Sequence, residues 1–136
     1  MADAASEWVS CSPRVRSALA GDTMKSVKWM VEELLPVMPV LLYQGIYDMK
    51  DGVACNEAWM QTLTWNGTRA FLATPRSLWR VKGKSNEVAG YWRTYGTLSH
   101  VVLLGAGHLV PADQGLHSQK MIERWIGEQL VRVPPA

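Results

Sequence analysis

Two short apolar runs, each closed by glycine, constrain this chain more than any other feature. The first is Pro39-Val-Leu-Leu-Tyr43, bounded by the proline and by Gly45. The second covers residues 98–104 and ends in Gly105-Ala-Gly107. Both are too short for a helix, and a run that is apolar on both faces reads as a buried strand. Helical patterns stand before, between and after them. Met24, Val27, Met30, Val31, Leu34 and Leu35 form a stripe at helical spacing, with Asp22 expected as N-cap and Pro36 as the stop. Asp51 and Gly52 open a second pattern over 53–63, with Val53, Asn56, Trp59, Met60 and Leu63 on one side. A third covers 113–130, with Asp113 expected as its N-cap and Met121, Ile122, Trp125, Ile126 and Gln129 at helical spacing. Strands that alternate with helices predict an α/β architecture with a parallel sheet.

Shorter signals fill the gaps. Residues 12–20 read as a short helix ended by Gly21. Asn66-Gly67 is a turn signal, and 68–73 read as a strand. Residues 78–82 and 91–95 flank a polar turn at 83–86 and predict an antiparallel hairpin. Two parallel strands make a poor sheet alone, and an edge as apolar as 101–104 expects another strand beside it. That pattern predicts an incomplete chain, so residues 1–136 read as a single partial domain.

Composition narrows the partners. The chain is 48% hydrophobic and 19% charged, enough to pack a core. A net charge of +2 without any run of Lys or Arg argues against nucleic acid and against a membrane surface. The longest apolar stretch, 34–43, contains two prolines and falls short of the ~20 residues that span a bilayer. Cys11 and Cys55 can pair with each other, pair outside the chain, or stay free. With no C-x-x-C or His/Cys cluster, neither a metal nor a cofactor is predicted. Residues 1–10 are polar, carry Asp3 and Glu7, and show no signal peptide.

Functional residues of open α/β sheets gather at the carboxyl ends of strands. Asp48 lies just after the first apolar run and His108 just after the second. A histidine can take the proton of a nucleophile while a buried carboxylate fixes its tautomer and stabilises the imidazolium. Taken alone, Asp48 would pass for an ordinary loop carboxylate and His108 for a structural loop histidine. Aspartate before histidine fits the last two members of the Ser, Asp, His order of α/β-hydrolases. No Gly-x-Ser-x-Gly pentapeptide accompanies them. His100, inside a strand, is expected to be structural, and His117, on the last helix, solvated. The tryptophans are expected mostly in the core, with Trp59 and Trp92 as candidates to line a pocket.

Longer motifs carry a resemblance. Val40-Leu-Leu-Tyr-Gln-Gly-Ile-Tyr-Asp48, followed by Asn56-Glu-Ala-Trp59, resembles the segment of serine carboxypeptidases that bears the catalytic aspartate. Gly105-Ala-Gly-His-Leu-Val-Pro111 resembles their histidine motif, with Leu109 in place of the usual methionine. Trp79-Arg-Val81, Gly90-Tyr91 and Tyr95 fit the hairpin between them, and Met121, Trp125 and Ile126 fit the final helix. The details are similar to plant serine carboxypeptidase-like proteins. The resemblance implies the C-terminal part of an α/β-hydrolase fold: last sheet strands, a hairpin and flanking helices. It implies Asp48 and His108 as catalytic residues, a peptide substrate, and release of C-terminal residues through an acyl-enzyme. The family's serine would lie upstream, so the isolated chain is expected to be inactive. The alternatives are a serine carboxypeptidase-like acyltransferase, or an inactive remnant that acts only by association with an N-terminal chain. The family is secreted or sent to vacuole or lysosome, and Asn66-Gly-Thr68 is a glycosylation acceptor that agrees with that route. Met1 would then open a fragment or a truncated gene model.

Overall fold

The two apolar runs are neighbouring parallel strands. The computed structural model describes residues 8–81 and 87–132. In chain order the elements are α1 (Pro13–Ala18), α2 (Lys28–Leu34), β1 (Val40–Gly45), α3 (Val53–Met60), α4 (Thr68–Ala73), β2 (Ser77–Arg80), β3 (Val88–Tyr95), β4 (Leu98–Leu103), α5 (Val110–Asp113) and α6 (Gly115–Arg132). β1 pairs with β4 in register from Val40 opposite Leu98 to Gly45 opposite Leu103. The loops that follow the two strands therefore leave the sheet side by side.

The sheet is mixed, with order β1-β4-β3-β2. β2 and β3 form the expected hairpin, and β3 runs antiparallel to β4. The polar turn expected at 83–86 lies outside the described residues. The apolar 101–104 run has the neighbouring strands it called for, since β4 lies between β1 and β3 and all six of its residues are buried. The physical reason is the two-residue connection Gly96-Thr97. Gly96 takes φ +55°, a conformation that glycine adopts at no steric cost, and folds β3 back onto β4. Between them, β1 and β2 flank the sheet.

Helices cover both faces. On one, Trp79, Ala89, Trp92, Val101 and Leu103 of the sheet pack with Val110 and Met121 from α5 and α6. On the other, Leu98 packs with Leu35, Met60, Leu63 and Phe71 from the α2, α3 and α4 segments. Burying each such large side chain contributes about 1.5–3 kcal/mol. Among the described residues no helix is long and apolar enough to cross a membrane.

Four local expectations are corrected. Residues 68–73 form helix α4, not a strand. Its backbone bonds run Phe71 N–H to Gly67 O at 2.8 Å and Thr74 N–H to Ala70 O at 3.0 Å, and the buried Gly67 and Phe71 stand four apart. Six residues are too few to separate a period of two from one of 3.6 by composition. Asp22 is not an N-cap. Residues 22–25 continue the turn after α1, with Thr23 N–H bonded to Leu19 O, so α2 begins only at Lys28 and Asp22 pairs with Lys25 instead. Asp113 is not an N-cap either, because it ends α5 and Gln114 breaks the helix at φ −133°. His117 is half-buried rather than solvated, its ring edge-on to Trp79 at 6.4 Å.

Candidate active site

The site is built from the two loops that follow β1 and β4. Gly45 lets them meet: a Cβ there would sit 2.2 Å from the Ala106 carbonyl oxygen and 2.3 Å from that of Gly107. The β1 loop then bonds across, with Ile46 N–H to Leu103 O and Tyr47 N–H to Ala106 O, both at 2.9 Å. Gly105 turns the β4 loop at φ +70°, and its carbonyl accepts from Gln114 Nε2 at 3.2 Å. Asp113 braces the same loop, its Oδ2 accepting from Gly107 N–H at 2.7 Å. That brace is the role Asp113 has in place of the expected cap.

Asp48 and His108 are brought into contact. His108 Nδ1 lies 3.1 Å from Asp48 Oδ2. The carboxyl of Asp48 is buried, and its Oδ1 accepts from the backbone N–H groups of Lys50 and Asp51, each at 2.9 Å. The Asp51 N–H above all holds this carboxyl below the usual carboxylate range. His108 and the Lys50 N–H add to that effect, against the opposing cost of desolvation. An ionised carboxylate only accepts, so Nδ1 is the donor and Nε2 keeps the basic lone pair. The imidazole is half-exposed.

A cleft of roughly 440 Å³ opens here, lined by Tyr43, Gln44, Asp48, Asp51, Asn56 and His108, with Leu109 to Pro111 along one side. Gln44, Asn56 and Asp51 are among the lining residues that carried no site role in the sequence reading. Gln44 is buried, and its Nε2 has no partner among the described residues. Asn56 Nδ2 donates to Asp51 O at 2.8 Å while its Oδ1 accepts from Trp59 Nε1 at 2.8 Å, which ties the aspartate loop to α3. Asp51 was read only as a helix opener, yet its Oδ2 comes within 3.5 Å of His108 Nδ1. Its position three residues after Asp48 was the available signal. The Nδ1 hydrogen bond to Asp48 and the turn that bonds Asp51 N–H to Asp48 Oδ1 bring the three groups together.

The remaining candidates lie elsewhere. His100 is buried in β4, as expected of a structural residue. Trp59 lines a separate apolar cleft of roughly 570 Å³ with Val27, Val31 and Leu42. Trp92 is buried in the core with Trp79 edge-on at 5.6 Å. Cys11 and Cys55 are both free and exposed. Glycosylation would require Asn66 at the surface, and Asn66 is exposed.

Parallel strands covered by helices, with a buried carboxylate bound to an exposed imidazole at their carboxyl ends, are consistent with the α/β-hydrolase class. The profile described as "Serine carboxypeptidase" matches residues 1–128. "Serine carboxypeptidase-like 50" of Arabidopsis thaliana is 47% identical over 116 residues, which cover 85% of this chain and 26% of that protein. "Probable serine carboxypeptidase CPVL" of Mus musculus is 38% identical over 112 residues, 82% of this chain and 23% of that protein. "Serine carboxypeptidase-like" of Oryza sativa subsp. japonica is 35% identical over 125 residues, 91% of this chain and 28% of that protein. The chain thus belongs to the serine carboxypeptidase family, and it spans about a quarter of the length of these curated relatives.

Proposed function

We propose that this chain is the C-terminal part of an α/β-hydrolase and supplies the aspartate and histidine of a serine carboxypeptidase. The observation that carries the reading is the 3.1 Å contact between His108 Nδ1 and the buried Asp48. A serine hydroxyl from another segment attacks the carbonyl carbon of the C-terminal peptide bond, and its proton passes to His108 Nε2. Asp48 balances the imidazolium charge. The proton then goes to the departing amine as the C–N bond breaks, leaving an ester on the serine. Water, deprotonated by His108, opens the ester and returns the serine.

The nucleophile must reach the cleft from a segment with its own strand and turn, since this sequence holds no Gly-x-Ser-x-Gly. The outer side of β1, unpaired among the described residues, and the apolar cleft beside it, lined by Val31, Leu42 and Trp59, support docking of such a segment. This docking also accommodates the reading of the chain as a partner that works only by association.

The test is co-expression with a Gly-x-Ser-x-Gly segment of a serine carboxypeptidase, followed by assay of C-terminal residue release. Release by the pair and by neither part alone is the expected result. Asp48→Asn in the pair is expected to lower kcat by about 10⁴-fold, because the histidine loses its tautomer and its counter-charge. Unchanged activity in Asp48→Asn or His108→Ala would overturn the assignment. Acyl transfer to an added alcohol in preference to water would favour the acyltransferase alternative. We also propose a secretory route for the parent protein, supported by the exposed acceptor Asn66. Expression in a secreting eukaryotic host should give a mass shift that Asn66→Gln and glycosidase treatment both remove; an unshifted mass there would count against it.

A further inference from the structure

His108 faces two carboxylates of different character. Asp48 is buried and reaches Nδ1 at 3.1 Å. Asp51 is exposed, and its Oδ2 stands 3.5 Å from the same nitrogen. The backbone of Asp51 is held on both sides: its N–H donates to Asp48 Oδ1 at 2.9 Å, and its carbonyl accepts from Asn56 Nδ2 at 2.8 Å. Asn56 is in turn bonded to Trp59, which packs against the core that Leu35, Met60 and Phe71 form. The second carboxylate is therefore presented to the imidazole by a braced turn.

We propose that Asp51 is a positioning residue for His108, a second carboxylate that stabilises the imidazolium formed when the ring takes up a proton. This rests on the reading of His108 as the base. The two carboxylates divide the work by burial. Asp48, shielded from water, directs the N–H to Nδ1 and sets the ring plane. Asp51, on the solvent side, adds negative charge without displacing that bond. No bond to carbon changes in this step. The proton arrives at Nε2, Nδ1–H stays in place, and the added positive charge is shared by the two acids. An exposed charge acts through water and ions, so its effect is modest and screened by salt, whereas that of the buried Asp48 is not.

Side-chain nitrogen NMR of the ¹⁵N-labelled chain tests this directly. In the wild type the neutral ring should carry its proton on Nδ1. Asp51→Asn should keep that tautomer but lower the ratio of imidazolium to imidazole, compared with wild type at one common pH, by about two-fold at low salt. The difference should vanish near 1 M sodium chloride, where the screening length is about 3 Å. Asp51→Glu, which keeps the charge, should retain most of the wild-type ratio. Asp48→Asn should instead abolish the tautomer preference. An Asp51→Asn ratio equal to wild type at low salt would overturn the proposal. So would a difference that persists at high salt or in Asp51→Glu, since it would mean a rearranged turn rather than a lost charge. The base assignment fails separately, if Asp48→Asn leaves the tautomer untouched or His108→Ala leaves the paired enzyme active.

Discussion

His100 is the residue with the sharpest thermodynamic consequence outside the site. It stands in β4 between Leu42 of β1 and Arg93 of β3, 1% exposed, with neither ring nitrogen bonded among the described residues. Burial first, then the charges of Arg93 and Arg76, push its pKa down from 6.5 to about 4. The folded value is below the unfolded one, so the fold favours the neutral ring. The full stability is present above pH 6.5 and is lost as the pH falls towards 4. By about pH 5 the loss from this group amounts to about 2 kcal/mol. Asp48 adds nothing to that window, since its lowered pKa matters only below the ordinary carboxylate value of 3.8. Urea titrations at pH 7.5 and pH 5 measure the effect. His100→Leu, similar in volume and without orphaned nitrogens, should flatten the difference. An equal loss in wild type and variant would show that another group is responsible.

At the level of elements, the decisive arrangement is the contact between the β1 and β4 loops. It depends on Gly45, where a methyl group would press on two backbone carbonyl oxygens that cannot rotate away. Gly45→Ala should cost at least about 1–3 kcal/mol and separate the loops, so that the Asp48–His108 contact is lost with it. Thermal melting and the His108 NMR signals report the two effects together. Gly127 of α6 is the control: a Cβ there meets nothing within 4 Å, and Gly127→Ala should stabilise the helix by about 0.5–1 kcal/mol. A Gly45→Ala variant that melts like wild type would refute the close-packing account. The hairpin shows the same logic, since Gly96 at φ +55° decides that β3 lies on β4 rather than away from it.

At the scale of the whole molecule, the outer side of β1, which no strand pairs among the described residues, is the exposed liability. Tyr43 is 43% exposed on that strand, and Met49 and Tyr47 just beyond it are 96% and 69% exposed. An apolar strand with a free side pairs with other strands, and a lysine on it blocks that pairing. The isolated chain should therefore self-associate, and Tyr43→Lys should return it towards the 15.2 kDa monomer in sedimentation velocity. Monomeric wild type at all concentrations would refute the edge argument. The exposed Asn66 and the half-exposed α2 stripe belong to the same surface picture. Of that stripe only Val31 and Leu35 reach the core, while Met24 is 93% exposed.

The sequence alone placed Asp48 and His108 just after two strands. The run before His108 is legible because a strand buried on both faces must be apolar throughout, and glycine must follow where loops cross closely. The motifs around Gly45 and Gly105 carried the family. Local pattern could not settle α4, since one and a half turns hold too few residues to show a period, or the start of α2, where a turn after α1 claimed part of the stripe. Only the tertiary structure decided that β4 lies inside the sheet, that Asp113 braces the histidine loop, and that Asp51 reaches His108. These are contacts between segments far apart in the chain or across a turn. They depend on strand order and register, which no local periodicity encodes.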